Sequence, residues 1–239
     1  MYAIYKKEIK SFFNTIEGYV AIIVFFITTS LILWYIPSDY NIIYNKQASL
    51  LSFFTISPWV LLFLMPAITM KMLSGESSQK TIIILLTKPI KKWEIIFAKF
   101  LASFTIGFIS ISPSLIFVYS VFELSEPIGN LDYGELIGSY IGLVMLISAY
   151  SSIGLFGSII SKNMMIAFIS TTIIILLFLF GLDLLSTNYD NSILQYLSIN
   201  THYESISRGV IDSRDIVYFI SITAFFLIIS TLIIEKQNS

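Results

Sequence analysis

Residues able to do chemistry concentrate in one stretch, 74–94: Ser74-Gly75-Glu76-Ser77-Ser78-Gln79-Lys80-Thr81-Ile82-Ile83-Ile84-Leu85-Leu86-Thr87-Lys88-Pro89-Ile90-Lys91-Lys92-Trp93-Glu94. Charges and hydroxyls flank an apolar centre, Ile82 to Leu86. That centre is far too short to span a bilayer, which takes about 20 residues of helix. Gly75 is placed to stop the preceding helix, and Ser77 or Ser78 to cap a new short one. The residue before Pro89 is pushed out of the helical region, so that helix ends there. Its apolar face must be buried in lipid headgroups or in a protein groove. Lys88, Lys91 and Lys92 then meet lipid phosphate or an acidic partner, and Glu94 opens the next helix, where an N-terminus favours a carboxylate. This is the chemistry of docking.

Catalytic constellations are not apparent elsewhere. No G-x-x-x-x-G-K-[ST] loop is present to cradle phosphates, and Gly75-Glu76-Ser77-Ser78 does not fit one. The chain has one histidine, His202, and no cysteine. Disulfides, thiolate metal sites and cysteine nucleophiles are excluded, and His202 has no companion ligands in its neighbourhood of the sequence. It reads as a structural or interfacial residue. No serine stands in a nucleophile elbow with a plausible histidine. The expectation is a non-enzyme with no catalytic residues, metal or cofactor of its own.

The elements that position the loop follow from composition. Hydrophobic residues make up 56% and charged residues 12%, where a soluble domain carries about 25% charged. Long apolar runs near Tyr19–Ile36, Leu50–Met72, Ile95–Phe122, Leu136–Ile160, Met164–Leu185 and Ile216–Ile234 predict six spans. Runs such as 173–180 do not alternate apolar with polar, as barrel strands must. A helix satisfies its own backbone in lipid. The predicted fold is therefore all-α, one polytopic membrane domain over 1–239. With the N-terminus inside, eleven of the fourteen lysines and arginines fall on the cytoplasmic side, and only Lys46, Arg208 and Arg214 outside. The positive-inside rule favours that placement, with both termini cytoplasmic. Nothing in the charge pattern is a nucleic-acid footprint.

Residues 1–18 read as an amphipathic interfacial helix. Tyr5, Ile9, Phe12, Phe13 and Ile16 recur at helical spacing, and Lys6, Lys7 and Lys10 face lipid phosphates, as Lys91, Lys92 and Trp93 do at the start of span three. The alternative is a solvated basic tail that only sets topology. Lys99 is expected to snorkel to the headgroups. Pro58 and Pro66 in span two and Pro113 in span three are candidate kinks. Gly138-x-x-x-Gly142 in span four suits close helix contact, between subunits or within one. Residues 186–215 predict short re-entrant or surface helices on the outer side, with Glu204 and Arg208 spaced to pair and Asp212 or Ser213 capping span six. No titratable group sits in the middle of a span, where carriers and pumps place theirs. Energy should come from a partner on the cytoplasmic side.

The run from Glu76 through Lys80-Thr81 and Leu85-Leu86-Thr87-Lys88-Pro89-Ile90 to Lys99-Phe100-Leu101-Ala102 resembles the first cytoplasmic loop of type-2 ABC exporter permeases. His202-Tyr203-Glu204, then Arg208-Gly209-Val210-Ile211-Asp212 and Asp215, is similar to the segment leading into that family's last span. The resemblance implies a permease of the bacterial inner membrane whose loop carries a coupling helix resting on a separate cytoplasmic ATPase. Glu76, Lys80, Thr81, Leu85, Leu86, Thr87, Lys88 and Pro89 would then be the coupling residues. ATP and magnesium would belong to an ATPase dimer. A second permease subunit, or a second copy of this chain, would complete the membrane part. Tyr5 to Phe13 and Pro58 to Ala67 further resemble the gliding-motility permeases of Bacteroidota, which implies a partner with a large periplasmic domain. Relatives that mature copper enzymes or export small toxins share much of the loop. A non-transporting anchor that relays motion to a periplasmic machine would use the same spans.

Overall fold

Among the described residues of the computed structural model, six helices are long and apolar enough to cross a membrane: Gly18–Tyr35, Leu51–Gly75, Lys92–Leu124, Tyr133–Ile160, Met164–Tyr189 and Ser213–Lys236. These are spans one to six, and each matches a predicted run to within a few residues at its ends. The structure describes residues 1–46, 48–76, 90–189, 192–210 and 212–236, and every element of regular structure among them is helical. The protein is an all-α, multi-pass membrane protein.

Span four is the axis of the bundle. It packs against spans two, three, five and six and against a short helix, Ile199–Ser207. Small residues make this possible: buried Ser139, Ser151, Ser152 and Ser158 alternate with glycines along its length. Gly138 is one site that admits no side chain, since a Cβ there would lie 2.6 Å from the Ile206 carbonyl oxygen. At Gly142 the approach is less severe: a Cβ would lie 3.3 Å from the Tyr203 ring. The small pair thus contacts Ile199–Ser207 of its own chain. Spans one, five and six, by contrast, bury only 22% of their apolar windows and form the periphery.

Caps set the boundaries of the later spans. Asp132 Oδ1 accepts from Gly134 and Glu135 N–H at the start of span four. Asn163 Oδ1 accepts from Met165 N–H at the start of span five, and Asp212 Oδ1 from Arg214 N–H before span six. Each replaces a bond that a helix N-terminus lacks. In span three the turn Ser112–Ser114 is 3-10 and contains Pro113, which separates Lys92–Ile111 from Leu115–Leu124.

One end of the bundle gathers the N-terminal helix Tyr2–Phe13, the end of span two and the starts of spans three and five. It is called the basic end below, and the opposite end the far end. The N-terminal helix rests on protein: Ile4 packs with Ile95 and Ala98 of span three, and Tyr5 Oη lies 3.2 Å from Thr105 Oγ1. At the far end, Ser192–Leu197 and Ile199–Ser207 are the two short helices expected between spans five and six. The second buries its Ile199, His202, Tyr203 and Ile206 in the protein.

Candidate functional site

Span two does not stop at Gly75. Its last turn, Lys71–Gly75, is a π-turn, and Glu76 continues the helix. Gly75 is buried in that turn beside Met164 of span five. Glu76 is therefore delivered by a helix end rather than by a loop.

Lys99 lies on span three, about two turns after the helix starts. It is fully buried, so it does not snorkel to the headgroups as its position suggested. Its ammonium donates to Glu8 Oε1 at 2.7 Å and to the Met72 carbonyl at 2.6 Å, and forms an ion pair with Glu76 Oε2 at 2.9 Å. Lys7 Nζ then donates to Glu76 Oε1 at 2.6 Å and lies 3.8 Å from Glu8. Lys7, expected among the lipid-facing lysines, pairs with Glu76. Two ammonium groups face two carboxylates, so the cluster is neutral as a whole. That balance is what allows a lysine to sit in an interior.

Electrostatics follow from this geometry. Burial, the largest influence on Glu76, pushes its carboxyl up. The charge of Lys99 and the hydrogen bonds from Lys7 and Lys99 outweigh it, and the carboxyl sits below its ordinary range. Lys7 shows the converse. Burial pulls it down, the bond and charge of Glu76 prevail, and the ammonium sits above its ordinary value.

The cluster joins three elements: the N-terminal helix through Lys7 and Glu8, span two through Met72 and Glu76, and span three through Lys99. Residues 77–89 run between the last two. The helix end before the predicted docking loop and the span after it are thus both tied to the N-terminal helix by charge. Of the predicted coupling residues, Glu76 takes part. Lys80, Thr81, Leu85, Leu86, Thr87, Lys88 and Pro89 lie outside the described residues, as do Ser77 and Ser78. Lys6 and Lys10 are exposed on the N-terminal helix, Lys91 and Trp93 at the start of span three, and Lys92 is half-buried there.

Glu8 and Lys99 were not legible as site residues. Glu8 stands among Lys6, Lys7 and Lys10, where it passes for ordinary surface alternation. Lys99 falls near a span end, where snorkelling is the simpler expectation. The one available signal was their shared oddity, an acid in a basic run and a base in an apolar run.

Polar groups at the far end are arranged differently. His202 Nδ1 lies 2.6 Å from Asp215 Oδ1, Nε2 lies 2.9 Å from the Tyr196 carbonyl, and the ring stacks on Tyr218 at 3.9 Å. This ties the two short helices to span six. Glu204 does not pair with Arg208, which its spacing allowed. It accepts from Asn200 Nδ2 at 2.8 Å. A cleft of about 690 Å3 opens between spans two and five, with Glu135, Asp183, Glu204, Arg208 and Trp59 on its walls.

Fold and site together define a multi-pass membrane module with a charge-fastened attachment for one loop. The family model of ABC-2 family transporter proteins matches residues 2–235, and the chain belongs to that family. It is a membrane permease subunit of an ABC transporter, and the family implies a cytoplasmic ABC ATPase as partner. No curated protein matches the chain.

Proposed function

We propose that this subunit turns ATP hydrolysis by a separate cytoplasmic ATPase into movement of its spans, and that residues 76–90 are where the ATPase pushes. The observation that carries this reading is the buried Lys99 cluster. A load applied to a loop is transmitted only if the loop's ends are held. Here Glu76 at one end and Lys99 beyond the other share one ion cluster with Glu8. The N-terminal helix, the end of span two and the start of span three then move as one body. The basic end faces the cytoplasm in this reading, by the lysine and arginine distribution.

Thr81 to Thr87 form the docking segment, with Leu85 and Leu86 as its apolar anchors. Lys80 and Lys88 face acidic or phosphate groups. Lys6, Lys10, Lys91, Lys92 and Trp93 hold the same end at the inner surface of the bacterial membrane. The work done is export or transmembrane conformational change. Its setting is gliding motility, on the strength of the resemblance to the permease called GldF. A second membrane subunit, or a second copy, completes the assembly.

Affinity purification from the native membrane tests this. The wild-type chain should bring down an ABC ATPase, and Leu85→Asp or Leu86→Asp should abolish ATP-driven function. Normal coupling in both variants would overturn the reading. Loss of gliding on deletion of the chain would fix its setting, and undisturbed gliding would remove it.

A further inference from the structure

The π-turn at the end of span two leaves backbone groups that the ordinary helical ladder would have paired. An orphan N–H or C=O in an apolar interior is costly. Here the partners come from another span. Ser158 of span four is almost wholly buried. Its Oγ accepts from Leu73 N–H at 3.2 Å and Ser74 N–H at 3.0 Å, and donates to the Met70 carbonyl at 3.1 Å. A hydroxyl has one donor and two acceptor sites, and all three are used on this turn. Lys99 Nζ covers the Met72 carbonyl, and Ser74 Oγ adds a bond to the Met70 carbonyl.

A π-turn holds one residue more than an α-turn. If the same residues closed into an α-helix, everything after them would rotate by about 100° and advance by about 1.5 Å. Glu76 follows immediately. In the α register its carboxylate would leave Lys99 and Lys7. We infer that Ser158 is a positioning residue that, by holding this turn in the π register, sets the phase in which span two presents Glu76 to the Lys99 cluster. Its bearing on energy coupling rests on the function proposed above. The register itself does not.

Deleting one residue of the turn, for example Ser74, lets the ladder close as an α-helix while Glu76 keeps its place. In that background Ser158 has nothing left to hold. The test uses the full chain in detergent, without an ATPase, and reads apparent melting temperature and recovery of monodisperse protein. Ser158→Ala should lower the melting temperature by several degrees. Glu76→Gln should lower it too, and the double variant should lose clearly less than the sum, although the two side chains do not touch. Adding the Ser74 deletion to Ser158→Ala should restore the value of the deletion alone. Additive losses, or no restoration by the deletion, would overturn the inference. If Ser158→Ala does not accumulate, recovery of the Ser158→Ala, Ser74-deleted chain decides in the same way. Failure here leaves ATPase coupling through residues 76–90 standing. Failure of that coupling leaves the register untouched.

Discussion

The two ends of span two are tied to the bundle by different chemistry. At the far end Pro58 lacks an N–H, so the Phe54 carbonyl four residues earlier loses its ladder partner. Tyr203 Oη fills the gap from Ile199–Ser207, donating to that carbonyl at 2.7 Å. The tie is one neutral hydrogen bond. At the basic end the orphan groups of the π-turn are met by Ser158 and Lys99, and Lys99 in turn is held by Glu8 and Glu76. That tie is an ion cluster of four residues, with Lys99 and Glu8 buried, Glu76 nearly so and Lys7 at its exposed rim. Far-end charges such as Glu135 and Asp183 line a cleft instead. A single hydrogen bond positions a helix. A buried, charge-balanced cluster binds several elements so that losing one member exposes the others. The second kind of fastening stands beside the segment on which force is proposed to act.

Lys99→Met leaves two buried carboxylates without their shared cation and should cost about 3–5 kcal/mol, seen as collapse of monodisperse protein on purification. Adding Glu8→Gln and Glu76→Gln to that variant should recover a large part of the loss, because neutral amides need no counter-charge. Tyr203→Phe orphans the Phe54 carbonyl and should cost about 1–3 kcal/mol, read as a lower melting temperature. This far-end loss should be the same at low and high salt.

A pH series sharpens the contrast with a smaller effect. Glu76 is held below its ordinary 4.5, so its contribution is complete above that value and fades as pH falls through the lowered one. Lys7 is raised above its ordinary 10.5, so its contribution is complete below that value and is lost as pH rises through the raised one. Burial lifts the Tyr203 hydroxyl well above its ordinary 10.0, so it stays a donor in alkali. Comparison of Glu76→Gln with the parent chain should therefore show a melting-temperature gap that closes in acid. The gap between Tyr203→Phe and the parent should hold through the alkaline range.

The smallest effect belongs to the exposed lysines. Lys6→Gln with Lys10→Gln should weaken attachment of the N-terminal helix to anionic vesicles by about 1 kcal/mol per charge. Melting temperature in detergent should not change.

What could be read without coordinates followed local rules. The six spans are visible because each is a continuous apolar run, and Asp212 at the start of span six because caps act within two or three residues. The break at Pro113 was legible for the same reason, whereas Pro58 and Pro66 lie inside the unbroken helix Leu51–Thr69, and nothing in the sequence signals that Tyr203 answers Pro58. The site was half legible. Glu76 stood out by its place beside the loop. Glu8 and Lys99 lie 91 residues apart, and one sequence carries no measure of which distant residues meet. Gly75 misled because glycine commonly ends helices, and here it is buried inside a π-turn bonded to Ser158 of another span, with Glu76 still helical after it.

A photo-crosslinking residue at Leu85 or Leu86, activated in native membranes, tests the central claim most directly. Crosslinking to an ABC ATPase is the result expected. Capture of periplasmic protein alone, or labelling of the same position by a membrane-impermeant reagent added from outside intact cells, would contradict the account.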